Sequence, residues 1–173
     1  SRATVREALR LLESDGLVVT RGGRNGGSEV ALLGIGGVER SLGIFIRGRG
    51  IRLDAILEAR AAIEGPAAQY AALHRTDSDL ADLELCQERV ERESRNENAQ
   101  GYLRANLDWH IQVVRAGHNE LLIAFMSAIA RPFFVASDLK DFISPQMRAA
   151  GIHAHRRVME AIRDRDGEAA RRR

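Results

Sequence analysis

From Ile51 onward, apolar side chains return every three or four residues almost without a break, and no stretch alternates as a strand would. Stripes of this kind bury only against one another. The pattern therefore predicts an antiparallel all-α helical bundle. The spacing puts helices at about 52–73, 77–95, 98–117, 119–141 and 145–165. Asp77 is expected to cap the second and Asn119 the fourth, and the residues after Ser144-Pro145 begin the fifth. Pro66 lies inside the first and is expected to kink or break it.

Residues 1–31 read differently. Ser1 can cap a helix on which Val5, Leu9 and Leu12 share a face, with Ala8 beside them. Ser14-Asp15-Gly16 ends that helix. Leu17-Val18-Val19-Thr20 reads as a strand, Arg21 to Gly27 as a glycine-rich turn, and Ser28-Glu29-Val30-Ala31 as a return strand. Helix followed by hairpin is the back half of a small winged unit. Between the two regions, residues 32–49 carry Gly34, Gly36, Gly37, Gly43 and Gly48. They predict a flexible linker with one short helical stretch around Val38 to Ile46. The whole is expected to be mostly α, with a helical domain over 50–173.

Composition narrows the function classes. No apolar run approaches the roughly 20 residues of a membrane span, so no membrane role is expected. The lone Cys86 cannot close an internal disulfide, which fits a reducing, cytoplasmic setting. The chain starts at Ser1 without a signal peptide and ends in three arginines just after a helical pattern, as part of a longer protein would. The net charge of +2 is unevenly spread: residues 1–49 hold 8 arginines against 5 acidic residues, and the rest is slightly acidic.

That basic segment has a pattern. Arg2 and Arg6, four residues apart, lie about 40° apart around a helix, with Thr4 between them and Arg10 continuing the row. They face away from Val5, Leu9 and Leu12. Such a helix can enter a major groove, where arginine binds guanine O6 and N7 in bidentate fashion. The hydroxyls of Ser1 and Thr4 suit phosphates. Arg21 or Arg24 in the turn can reach a neighbouring minor groove. The same spacing also describes a solvated arginine face, and the adjacent hairpin favours DNA.

Three polar features fall on apolar faces of the helical domain. Arg60 sits among Leu53, Ile56, Leu57, Ile63 and Ala67, and needs an anion. Glu64, Glu58 or a ligand carboxylate can supply it. Asn106 and His110 share a face with Leu103, so an amide oxygen and an imidazole nitrogen can converge on one ion, while Asp108 should face solvent. His155 points inward with Val158, Met159 and Ile162, and His153 points elsewhere. Two inward histidines on different helices suit either a satisfied core or an ion site.

The segment Ser1-Arg2-Ala3-Thr4-Val5-Arg6-Glu7-Ala8-Leu9-Arg10-Leu11-Leu12, followed by Asp15-Gly16-Leu17-Val18 and the glycine-rich turn, resembles the recognition helix and wing of GntR-superfamily transcription regulators. Leu57-Glu58-Ala59-Arg60-Ala61-Ala62-Ile63-Glu64 is similar to the first-helix signature of the FCD domain, the effector module of the FadR subgroup. Trp109-His110 with Gly117-His118-Asn119, and the stretch from His155 through Ala170, are similar to its later motifs.

The resemblance implies a partial winged helix-turn-helix over 1–31, a linker over 32–49 and an FCD-type domain over 50–173 whose last helix is incomplete. It implies operator DNA as partner, contacted by Ser1, Arg2, Thr4, Arg6, Arg21, Gly22 and Gly23, and a homodimer. It further implies a divalent transition metal, zinc or nickel, at Asn106, His110 and His155. A last histidine is expected about two dozen residues beyond His155. Asn106 stands where the family has a carboxylate, which removes one negative charge. A small organic acid would dock at the metal and Arg60. The alternatives are a structural or absent metal with a different ligand, or a metalloenzyme, against which no nucleophile–base pairing is visible.

Overall fold

The computed structural model describes residues 1–23, 26–31, 35–136 and 144–173. Arg24, Gly34 and the stretch 137–141, which carried sequence expectations, lie outside the described residues. The elements are α1 (Arg2–Ser14), β1 (Val18–Arg21), β2 (Gly27–Val30), α2 (Ile35–Gly48), α3 (Leu53–His74), α4 (Asp77–Arg95), α5 (Ala99–Ala116), α6 (Glu120–Ala136), α7 (Pro145–Arg163) and α8 (Gly167–Arg172). The expected order of helix, hairpin and helical domain is met.

At the N-terminus, the Ser1 side chain accepts from Thr4 N–H and caps α1. Gly16 at φ +76° takes the left-handed turn that ends it. β1 and β2 pair antiparallel, Val18 with Val30 and Arg21 with Gly27. Thr20 N–H donates to Glu13 Oε1 at 3.1 Å, tying the ribbon to the helix. The apolar stripe of α1 stays open, with Val5 59% exposed. One helix and a two-stranded ribbon offer too little surface to bury it.

The helical domain is organised around α5, which packs against α3, α4 and α6. One face of α5 gives Trp109 and Val113 to a core shared with Leu83, Val90, Met159 and Ile162. Another gives Leu107 to a second cluster with Ile46, Ile56 and Ile129. Val114 joins Met126 and Ala67 in a third. The connections between helices are built from side-chain caps. Asn98, Asn119, Ser144 and Asp166 each accept a backbone N–H at the start of a helix. Buried Arg75 donates to the carbonyls of Ile162 and Arg163, covering the C-terminal end of α7. His118 Nε2 lies 2.9 Å from Asp79 Oδ2, which pins the α5–α6 turn to the start of α4.

Three expectations need correction. Residues 35–48 form a 14-residue helix packed on α6, rather than a flexible linker with a short helical stretch. Ile46 is buried there with Leu42 packed partly buried beside it, and that burial outweighs the poor helix propensity of glycine. α3 runs unbroken through Pro66, because Ala67, Ala68, Ala71 and Ala72 are all buried and hold the helix against its neighbours. Thr76, not Asp77, caps α4, in a capping box with Asp79. The helix expected at about 145–165 is α7, and Asp166 then starts the separate α8.

Leu83 is fully buried and Leu85, two residues on, is exposed. Leu83→Ala should lower the unfolding free energy by about 2–5 kcal/mol. Leu85→Ala should stay within about 0.5 kcal/mol. Urea denaturation of the two variants beside the parent checks both.

Candidate nucleic-acid interface and effector cavity

On α1 the exposed side of the helix carries Arg2 and Arg6, and neither has an ion-pair partner among the described residues. Arg10 lies 3.5 Å from Glu7. The hydroxyls of Ser1 and Thr4 are 3.1 Å apart and engage each other as part of the cap. Arg21, at the end of β1, lies 3.5 Å from Glu29 across the ribbon. Gly22 and Gly23 are exposed at the turn, and Gly23 has φ +112°. A Cβ on Gly26 would sit 2.1 Å from the Arg21 carbonyl oxygen, so only glycine fits there. Among the described residues, Arg2 and Arg6 thus stand as unpaired guanidinium groups one helical turn apart, on the helix that precedes the ribbon.

The second site is a cavity of about 330 Å³ among α3, α5, α7 and α8. Its polar wall is Glu64 from α3, His110 from α5, His155 from α7, and Arg171 and Arg173 near the C-terminus. Trp109, Val113 and Val158 supply apolar wall. Sequence reasoning placed His110 and His155 together, and their ring centroids are 5.2 Å apart, edge to face. His155 lies flat on Trp109, at 3.7 Å with the rings 5° from parallel. Trp109 Nε1 is buried with no hydrogen-bond partner among the described residues. Asn106 is half-buried one turn before His110 and is not on the cavity wall. Asp108 is partly exposed and pairs with Arg89 at 3.0 Å.

Glu64 organises this wall. Its Oε1 accepts from Arg60 Nη2 at 2.6 Å and from Arg60 Nε at 3.0 Å. The same oxygen lies 2.9 Å from His110 Nδ1. Burial opposes ionisation of Glu64, but the hydrogen bonds and charges of His110 and Arg60 outweigh it and hold its pKa at about 2. An ionised carboxylate only accepts, so His110 donates from Nδ1. Arg60 is buried, as its apolar neighbours required, and of the anions open to it in the sequence the structure supplies Glu64. Burial, aided by nearby His110, pushes the His155 imidazole down to about 3 and keeps it neutral.

The wall carries donors of the kind a transition ion takes. In the neutral ring, a donating Nδ1 leaves the Nε2 lone pair of His110 free to ligate, and Asn106 adds an amide oxygen on the same helix. In kind, two imidazoles and an amide suit zinc or nickel. In number they are few. Among the described residues no group of three or more His, Cys, Asp or Glu is gathered as an ion cluster.

The FCD domain family model matches residues 55–173. The chain belongs to the FCD domain family. The match spans α3 to the C-terminus and includes every helix of the cavity wall. The chain is 28% identical over 172 residues to the Glc operon transcriptional activator of Escherichia coli (strain K12), covering 95% of this chain and 66% of that protein. It is 29% identical over 122 residues to the galactonate operon transcriptional repressor of the same strain, covering 68% of this chain and 51% of that protein. The chain therefore spans from about half to just under two thirds of these relatives' lengths. The structure of Streptococcus agalactiae GntR superposes with a TM-score of 0.73 at 21% identity, over 99% of this chain and 77% of that one. That likeness extends over the helix and wing as well as the FCD domain, as the fold expectation required. Among the described residues of this FCD protein, no helix is long and apolar enough to cross a membrane.

Glu64 is the site residue that sequence reasoning placed only as a partner of Arg60. Its i,i+4 spacing from Arg60 was visible, but its bond to His110 crosses between helices. Glu64→Leu removes the acceptor shared by buried Arg60 and half-buried His110 and should cost about 3 kcal/mol of stability. Glu58→Leu, exposed on the same helix, should change stability by less than about 0.5 kcal/mol. Thermal and urea unfolding of the two variants distinguish these outcomes.

Proposed function

We propose that this protein is a DNA-binding transcription regulator controlled by a small organic acid bound in its FCD domain. The observation that carries the reading is the joining, in one chain, of an arginine-faced helix and wing to an FCD domain with a polar-walled cavity. The names of the relatives support a regulator of an operon rather than an enzyme. In this reading Arg2 and Arg6 contact base edges in the major groove. Ser1 and Thr4 set the register on phosphates, and Arg21, Gly22 and Gly23 approach the neighbouring minor groove. A homodimer in the cytoplasm would present two such heads to a pseudo-palindromic operator.

His110, His155 and Asn106 would hold a divalent transition metal, zinc or nickel, which when bound supplies a Lewis-acidic anchor for a carboxylate. Arg60 is the second anchor. An incoming carboxylate has to compete with Glu64 for the guanidinium, so the event that seats the acid also alters the support of His110. Regulation then requires that the acid bind one arrangement of the DNA-reading heads more tightly than another.

Two measurements test this. In the full-length protein, Arg6→Ala should cost about 1–3 kcal/mol of operator affinity and relax sequence discrimination, with the helical domain still folded. Unchanged discrimination would refute the recognition-helix assignment. Elemental analysis should find about one transition ion per chain, lost in His110→Ala. An ion-free protein that takes up neither zinc nor nickel would leave an anion site built on Arg60 as the reading to pursue.

A further inference from the structure

From the cavity wall a second polar chain runs from α7 into α4. His155 Nδ1 lies 3.2 Å from Gln87 Oε1. Gln87 Nε2 donates to Glu91 Oε1 at 2.9 Å. Glu91 Oε1 also accepts from Arg156 Nε at 3.0 Å, and Arg156 Nη2 lies 2.9 Å from it. Arg95 stands 3.9 Å from its other oxygen. Gln87 is an uncharged residue in a helix crowded with charges, yet it is only 6% exposed. The regulator reading, which is concerned with the cavity alone, gives it no role.

The direction of this chain is fixed by chemistry. Burial opposes ionisation of Glu91, and the hydrogen bonds from Gln87 and Arg156 outweigh it and hold its pKa below the ordinary carboxylate value. An ionised carboxylate has no proton to give, so the amide must turn its NH₂ toward Glu91. Its carbonyl oxygen then faces His155, and an amide oxygen has no proton to give either. His155 must therefore donate from Nδ1. A neutral imidazole carries one N–H, so Nε2 keeps its lone pair.

We infer that Gln87 is a positioning residue for the cavity, locking His155 as its Nδ1–H tautomer so that Nε2 is held as an acceptor for an ion or ligand proton. Glu64, on α3, holds His110 Nδ1 in the same way. The two histidines of the wall are thus preset alike by two unrelated partners on two helices. Glu91 acts one step further out. It turns the amide, and Arg156 and Arg95 keep it charged. The stacked ring of Trp109 fixes the plane of His155, while Gln87 fixes which of its nitrogens can accept.

The test follows the tautomer directly, and zinc alone serves as the ligand probe. Long-range proton–nitrogen NMR correlations of His155, assigned by their loss in His155→Ala, should show the Nδ1–H form in the parent chain. Gln87→Met keeps length and burial but removes the acceptor. It should shift His155 toward the Nε2–H form and weaken zinc binding about 10–100-fold. The fluorescence of Trp109, the sole tryptophan, reports the titration. The double variant Gln87→Glu/Glu91→Gln exchanges donor and acceptor along the same pair and again presents an acceptor to His155. It should restore the Nδ1–H form and zinc affinity close to the parent's, which a role in packing alone would not produce.

A folded Gln87→Met protein that retains the Nδ1–H signature would overturn the assignment. So would a double variant that recovers neither signature nor affinity. The inference rests on the cavity reading only for its zinc arm, and the two can fail separately. A parent chain that binds no zinc but shows the tautomer shift keeps Gln87 in its role and removes the metal from the site. Zinc binding that is indifferent to Gln87, with an unchanged tautomer, does the reverse.

Discussion

The carboxylate of Glu64 is the contact on which the site depends. It lies between a guanidinium that the fold has buried and an imidazole that faces the cavity, and one oxygen serves both. A buried arginine without an anion would cost several kcal/mol. A histidine without a fixed partner would be free to present either nitrogen. Meeting both needs with one side chain couples the core of α3 to the wall formed by α5. The charge on Arg60 and the charge state of Glu64 each stabilise the other, and the tautomer of His110 follows from both.

α5 carries that arrangement into the rest of the molecule. Like α3, it contributes to each of the three hydrophobic clusters found among the described residues, so His110 and Trp109 stand on a helix packed on several sides. Its neighbour α6 carries α2, the helix that follows the wing. A contact path therefore leads from the cavity wall through α5 and α6 to α2, the segment that follows the ribbon. Packed helices of this kind shift as units because interiors are dense. That is the mechanical setting in which a change at the wall can be felt at α2.

Much of this was legible in the sequence. The run of three- and four-residue spacing gave the helical domain, and Ser144 and Asn119 marked helix starts through the chemistry of their side chains. His110 and His155 were readable as inward-facing because each lies on the apolar stripe of its own helix. What misled was local composition. The glycines of 35–48 and Pro66 both argue against helix when read one residue at a time. In the fold, Ile46 and the alanines after Pro66 are buried, and packing outweighs propensity. Gln87 gave no signal at all, because nothing in a run of charged residues marks the one amide that a distant helix will cover.

The sequence by itself determined the class of fold, the face of α1 that carries Arg2 and Arg6, and the membership of Arg60, His110 and His155 in an interior. These follow from periodicity, which is a property of a single helix and needs no partner. Only the tertiary structure decided that Glu64 would serve both Arg60 and His110, that Trp109 would lie flat on His155, and that Gln87 would reach it from α4. Each of those contacts joins residues on different helices or shares one atom between two neighbours. Their existence depends on how helices cross, and that is set by the summed packing of many side chains rather than by any one stretch of chain.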